Sequence, residues 1–201
     1  MPRQAAGLDD PRLWLPEDRY RRDGSTCIVC GLTYVRELEE DRKLHHKYHA
    51  RAMAVLTPKP EPRIVAALNR GIDLTIVSPI SPAWAQKAMY ERAHRFHQET
   101  GYRIMWEENG ELGWDAAGHL LLDDTGIFEP RTIVGAAAFR FGEWTVGEPC
   151  WELQWIWITP KTRRLGILTR AWPAFVDRYG DFFIEPPLST AMKAAVAKFG
   201  R

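Results

Sequence analysis

The chain has 201 residues, 45% of them hydrophobic and 26% charged, with a formal net charge of +1. These values describe a globular chain of one large domain, or one domain with a small module attached. They exclude a broadly basic nucleic-acid binder, and no apolar run reaches the ~18 residues a membrane helix needs.

Residues 1–22 are polar and Pro-rich and lack the apolar core of a signal peptide, so they read as a tail. The three cysteines make no disulfide framework, which fits a reducing compartment. A cytoplasmic location is expected on these grounds. The excess of arginine over lysine points to a bacterium, and a eukaryotic source would make the location nuclear.

Residues 23–56 form a Cys/His module. Cys27 and Cys30 are spaced as a CxxC, which turns two sulfurs toward one point, and His45 and His49 lie on one face of a helix. Two thiolates and two imidazoles close a tetrahedral zinc shell without a site for water, so the zinc is expected to be structural. A module this short needs such a staple to fold. His46 is the alternative ligand, but it falls off the His45–His49 stripe.

A finger that reads DNA is disfavoured. Its Cys–His gap is typically ~12 residues, whereas 14 separate Cys30 from His45. Glu37, Glu39, Glu40 and Asp41 stand where such a finger meets bases and phosphates. Packing against the rest of the chain or a protein partner is expected instead.

The stretch TPKPEPR, within residues 57–70, reads as a Pro-punctuated linker. From residue 71 to 201, strand and helix patterns alternate, which predicts a mixed α/β (α+β) sheet flanked by helices. Ile72–Ile80 is a β-branched strand. Residues 81–100 make a helix with Ser81 as cap, Pro82 at its first position and Gly101 after its end. Ala85, Met89 and Phe96 line one of its faces. Residues 103–108 (RIMWEE), His119–Leu122, Thr132–Phe141 and Cys150–Ile158 read as strands, the last strongly apolar and central. A helix follows from Gly166 to Tyr179, interrupted by Pro173. DFFIE is another strand, and Ser189 caps a terminal helix.

The junction between Ile158 and the helix after Gly166 is a candidate anion site. A helix N-terminus presents unpaired amides and a positive dipole end, which suits a pyrophosphate. Arg163 and Arg164 add charge, and Gly166 permits close approach of the backbone. The bland alternative is an ordinary strand–turn–helix with solvated arginines.

On Cys150–Ile158, strict alternation places Glu152, Gln154, Ile156 and Ile158 on one face, with Trp151, Leu153, Trp155 and Trp157 on the other. A glutamate inside an apolar strand is costly unless it is paired or functional. Glu152 is therefore either an edge residue that reaches solvent or pairs with an arginine, or a general base. Trp144, Trp151, Trp155 and Trp157 are core residues or the walls of an acceptor groove.

The run Arg163-Arg164-Leu165-Gly166-Ile167-Leu168 resembles the pyrophosphate loop of the GNAT acetyltransferases, with Leu168 in place of the usual Gly or Ala. Cys27, Cys30, Gly31, Tyr34, Glu40-Asp41, His45 and His49 follow the order seen in the zinc-finger branch that acetylates the cohesin ring. In that branch the finger precedes the acetyltransferase domain. Trp155 to Ile158, Arg163-Arg164, Ile167 and Glu185-Pro186-Pro187 resemble its later motifs.

The resemblance implies a GNAT-like fold over residues 71–201, structural Zn2+, acetyl-CoA as co-substrate and a lysine-bearing protein as acceptor. It implies that Leu165, Gly166, Ile167 and Leu168 hold the pyrophosphate, and that Ile156, Trp157 and Ile158 pair with the pantetheine arm. Glu152 stands 11 residues before Arg163, like the catalytic glutamate of histone-type members. Glu185 takes the place of the branch's aspartate before proline, and Gln154 that of a polar serine. Pro173 falls near a further acidic position of the branch, so its mechanism does not transfer whole.

Overall fold

The structure, a computed structural model, describes residues 24–102, 106, 115–142 and 148–199. The N-terminal module opens with a short hairpin in which β1 (Ser25–Thr26) runs antiparallel to β2 (Thr33–Tyr34). Helix α1 (Glu39–Leu56) follows, with Glu39, Glu40 and Asp41 in its first turn, where acidic side chains favour the helix dipole.

The stretch 57–70, expected as a linker, contains helix α2 (Pro62–Leu68). Glu61 caps it by accepting from the Arg63 amide, and Pro62 occupies the first turn, where its missing N–H costs nothing. Ile64 and Ala67 are fully buried, so α2 is part of the core.

Among the described residues, five strands form one mixed sheet in the order β3 (Ile76–Val77), β4 (Ala116–Leu122), β5 (Ile133–Gly142), β6 (Cys150–Ile158), β7 (Phe183–Ile184). Neighbours are antiparallel except β6 and β7, which run parallel. Helix α3 (Ala83–Thr100) ends at Gly101, whose φ of 72° stops it, and α4 (Ile167–Tyr179) connects β6 to β7. Helix α5 (Thr190–Lys198) closes the described chain, capped as expected by Ser189 Oγ on the Met192 amide at 3.1 Å.

The mixed sheet flanked by helices, with the Cys/His module ahead of it, is the α/β architecture expected. Two details differ. The strand at Ile72–Ile80 shrinks to Ile76–Val77, and Ser81 does not cap α3, because its Oγ accepts from the Ser78 amide at 2.9 Å. The strand expected over 103–108 lies outside the described residues except for Trp106.

Both faces of the sheet are covered, so β5 is buried from Ile133 through Phe139. One core joins α1, α3 and the hairpin to Ala136, Ala138, Trp155 and Trp157. The other joins α4 to Val134, Ala137, Phe139 and Leu153. Phe139 is fully buried and stacks on Tyr179 at 4.1 Å, so truncation to Ala should cost about 3–5 kcal/mol.

These two cores overturn the strict alternation expected for β6. Ala138 pairs with Trp155 and Phe139 with Leu153, which leaves Gln154 as an extra residue in a β-bulge. The bulge reverses the parity of the strand. Leu153 belongs with Ile156 and Ile158 toward α4, while Trp155 and Trp157 face α3. Glu152, adjacent to Leu153, therefore turns to the α3 side, not to the face of Ile156 and Ile158.

Candidate functional site

The hairpin and α1 together build a metal centre. Cys27 and Cys30 sit on a tight knuckle closed by Gly31 N–H to Cys27 O at 2.8 Å and Cys27 N–H to Leu32 O at 2.9 Å. His45 and His49 come from successive turns of α1. The four ligand atoms of Cys27, Cys30, His45 and His49 lie within 4.8 Å of one another. A tetrahedral Zn2+ with bonds of about 2.0–2.3 Å sets its ligands roughly 3.3–3.8 Å apart, so the set fits after a small contraction.

His46 is exposed and outside the cluster. Tyr34 stacks flat on His45 at 4.2 Å and fixes the ring. The Cys27 thiol is lowered to about 4, first by its hydrogen bond with Cys30 and further by His45 and His49. The same bond and burial push Cys30 up. One sulfur is thus held ready as the thiolate that a metal takes. Three protein-buried ligands and a half-buried fourth leave a closed shell, suited to support rather than to catalysis.

A second centre lies where β6 and β7 part. They pair only at Glu152–Phe183 and Leu153–Ile184, with Glu185 N–H donating to Leu153 O at 3.0 Å. β6 runs on to Ile158. Thr159 N–H donates back to Val134 O, so alternation turns the amide groups of Ile156 and Ile158 to the edge that β7 has left. The gap leads to the start of α4.

That start is shaped for an anion. Arg164 has φ 63° and Gly166 φ 85°, with Leu165 between them, and left-handed residues alternating with right-handed ones turn backbone N–H groups into one concavity. The helix begins at Ile167 with no side-chain cap, so the amides of Ile167 and Leu168 remain available at its positive end. A Cβ on Gly166 would meet Arg170 Nη1 at 2.6 Å. Arg170 braces the turn by donating to Leu165 O at 3.1 Å while it pairs with Asp124.

Arg163 is placed differently from the expectation. Its guanidinium points inward, donating to Glu99 Oε2 at 2.7 Å and to Ile158 O at 2.8 Å, over the Trp157 ring. It anchors the loop from below and is not an available charge for pyrophosphate. Arg164 and Leu165 are exposed beside the turn.

Glu152 and Glu185 flank the point where the strands separate. Glu152 has no exposed surface, and neither of its carboxylate oxygens has a hydrogen-bond partner among the described residues. Across the sheet it faces Arg140, which pairs with Asp115 at 3.2 Å. Glu185 is half-buried. Burial raises its pKa, the Glu152 charge raises it further, and Arg140 opposes both. Gln154, half-buried at the bulge, stands beside the gap.

Trp155 and Trp157 are buried, and their indole N–H groups also lack partners among the described residues. Trp155 packs on Phe96 and on Trp106. Trp151 lies against Tyr179 on the α4 side, and Trp144 lies outside the described residues.

Several contributors carry no signal in sequence. Glu99 meets Arg163 across 64 residues, and Arg170 meets Asp124 across 46. His119 on β4 and Tyr179 on α4 share a buried 2.7 Å hydrogen bond between His119 Nε2 and Tyr179 Oη. Burial holds His119 down at about 4 and Tyr179 up at about 12.

Residues 20–51 match the family described as the zinc-finger of acetyl-transferase ESCO. No curated protein matches the chain. Among solved structures, the xEco2 acetyltransferase domain bound to a CoA conjugate is similar at 18% identity and a TM-score of 0.44, covering 62% of this chain and 84% of that one. An aminoglycoside acetyltransferase from an uncultured soil metagenomic sample, in complex with sisomicin, is similar at 13% identity and TM-score 0.39, covering 62% and 82%. An aminoglycoside antibiotic 6'-N-acetyltransferase from Acinetobacter haemolyticus is similar at 14% and 0.35, covering 63% and 88%.

Proposed function

We propose that the protein is an acetyl-CoA-dependent N-acetyltransferase that modifies a lysine amine of a protein, with a structural zinc finger as support. The observation that carries this reading is the gap between β6 and β7, which opens onto the uncapped start of α4 and is flanked by Glu152 and Glu185. The finger supports it as well, since its family is named for an acetyltransferase.

Acetyl-CoA would supply the activated acyl group. The amides of Leu165 to Leu168 would hold its pyrophosphate, and the outward amide groups of Ile156 and Ile158 would align the pantetheine arm as an added strand. Glu185, half-buried beside the gap, would take the proton from the acceptor amine as the amine attacks the thioester carbonyl; the C–N bond would form, the C–S bond would break, and CoA would leave as the thiol once its sulfur is protonated. Glu152, wholly enclosed, would act on Glu185 through its charge rather than by contact with the amine. Gln154, at the bulge, would contact the acceptor. No protein nucleophile is needed for direct attack.

Incubating the zinc-loaded protein with isotope-labelled acetyl-CoA and host lysate, followed by mass spectrometry, tests the acceptor. Labelled protein lysines support the proposal. Label found only on small amines would move the acceptor class, and no label at all would favour a binding module.

A further inference from the structure

Helix α3 touches both centres within one turn. On one side, Arg95 Nη1 donates to Val29 O, and Gln98 Nε2 donates to Cys30 O at 2.7 Å. These are carbonyls of the metal knuckle itself. Arg95 also donates to Gln98 Oε1 at 2.8 Å, which locks the two side chains together. The approach is so close that a Cβ on Gly31, at φ 73°, would meet Gln98 Nε2 at 2.9 Å. On the other side, Glu99 accepts from Arg163 Nη2 at 2.7 Å, and Arg163 reaches back to Ile158 O at 2.8 Å. Arg95 and Glu99 are four residues apart and so neighbours on the helix surface. Burial works against the charge of Arg95, while Glu99, Cys30 and Cys27 support it.

We propose that Arg95, Gln98 and Glu99 are positioning residues that tie the Cys27–Cys30 knuckle to Arg163, so that metal occupancy sets the order of the loop before α4. The knuckle presents Val29 O and Cys30 O in register for α3 only while its four ligands converge. When the metal leaves, the two carbonyls move relative to Arg95 and Gln98. The turn of α3 that carries Glu99 then loses its clamp, and Arg163 loses a fixed partner. Nothing in this chain of contacts requires a ligand in the gap, so it stands apart from the acetyl-CoA reading.

Hydrogen exchange of the zinc-loaded full chain, read by mass spectrometry, tests it together with zinc release to a chromogenic chelator. Gln98→Ala should release zinc at least fivefold faster and speed amide exchange over residues 163–168 at least fivefold, with β4 and β5 unchanged. Glu99→Gln, which keeps shape and removes the charge, should speed exchange at 163–168 while zinc release stays within twofold. Stripping zinc from the parent should speed exchange at 163–168, and stripping it from Glu99→Gln should add nothing further there.

Exchange at 163–168 that is the same with and without zinc in the parent overturns the proposal. So does exchange in Glu99→Gln equal to the parent, or a rise spread evenly over β4, β5 and the loop, which reports general unfolding. Failure of acetyl-CoA to bind would strike the proposed function and leave these readouts intact.

Discussion

Glu152 is enclosed, without a hydrogen bond among the described residues, and one strand away from a second carboxylate. Unpartnered buried polar groups of this kind concentrate at functional sites, because a purely structural position would be better filled by an apolar side chain. The pair makes a signed prediction. Burial first, and Glu152 second, raise Glu185, so kcat/KM should fall with decreasing pH through an apparent pKa above the usual carboxylate range. Glu152→Gln removes the neighbouring charge and should move that acid limb to lower pH. Glu185→Gln should lower kcat by about 10²–10⁴ with little change in acetyl-CoA affinity. An unshifted limb in Glu152→Gln would separate the two carboxylates. His119 predicts a stability effect. Its folded pKa, about 4, lies below the ordinary value of 6.5, so the unfolded chain binds the proton more readily. The stabilisation is present above pH 6.5 and is lost as pH falls toward 4, amounting to roughly 3 kcal/mol. In thermal melts, His119→Gln should flatten this acid-side slope, and an unchanged slope would assign it to other groups.

At the scale of elements, the turn into α4 depends on backbone that only glycine adopts freely. Gly166→Val would force a β-branched residue to φ 85° and push against Arg170, which braces Leu165 and pairs with Asp124. Acetyl-CoA affinity should fall at least tenfold, with only a modest drop in Tm; binding equal to the parent would place the anion elsewhere. This turn, β6 and the finger were legible in the sequence for local reasons. The Cys/His spacing is a contact between near neighbours, and the seven apolar residues among the nine of Cys150–Ile158 mark a strand with both faces covered. The bulge at Gln154 was not legible, because an extra residue is defined only against the register of β5. It moves Glu152 to the α3 side of the sheet, which strict alternation could not foresee. Helix α2 was hidden by prolines that read as breakers, although Pro62 stands where a helix tolerates one. The inward turn of Arg163 depends on Glu99, which no local pattern connects to it.

For the whole molecule, the finger and the sheet share one core. Cys27, Val29, Cys30 and Tyr34 pack in the same cluster as Ala93, Trp155 and Trp157. The finger therefore acts as a brace on α3, which agrees with its acidic helix start and its distance from a DNA-reading pattern. Among the described residues, no helix is long and apolar enough to cross a membrane. Gln98 on α3 meets the metal knuckle at Cys30 O, and Glu99 beside it meets Arg163 of the loop before α4, so one helix touches both. On the proposed reading, the gap between β6 and β7 and the start of α4 form one binding site. Isothermal titration of the zinc-loaded protein with acetyl-CoA tests it most directly. Saturable one-to-one binding is expected, lost in Gly166→Val and retained in Glu185→Gln. No heat of binding with the folded, zinc-loaded protein would contradict it.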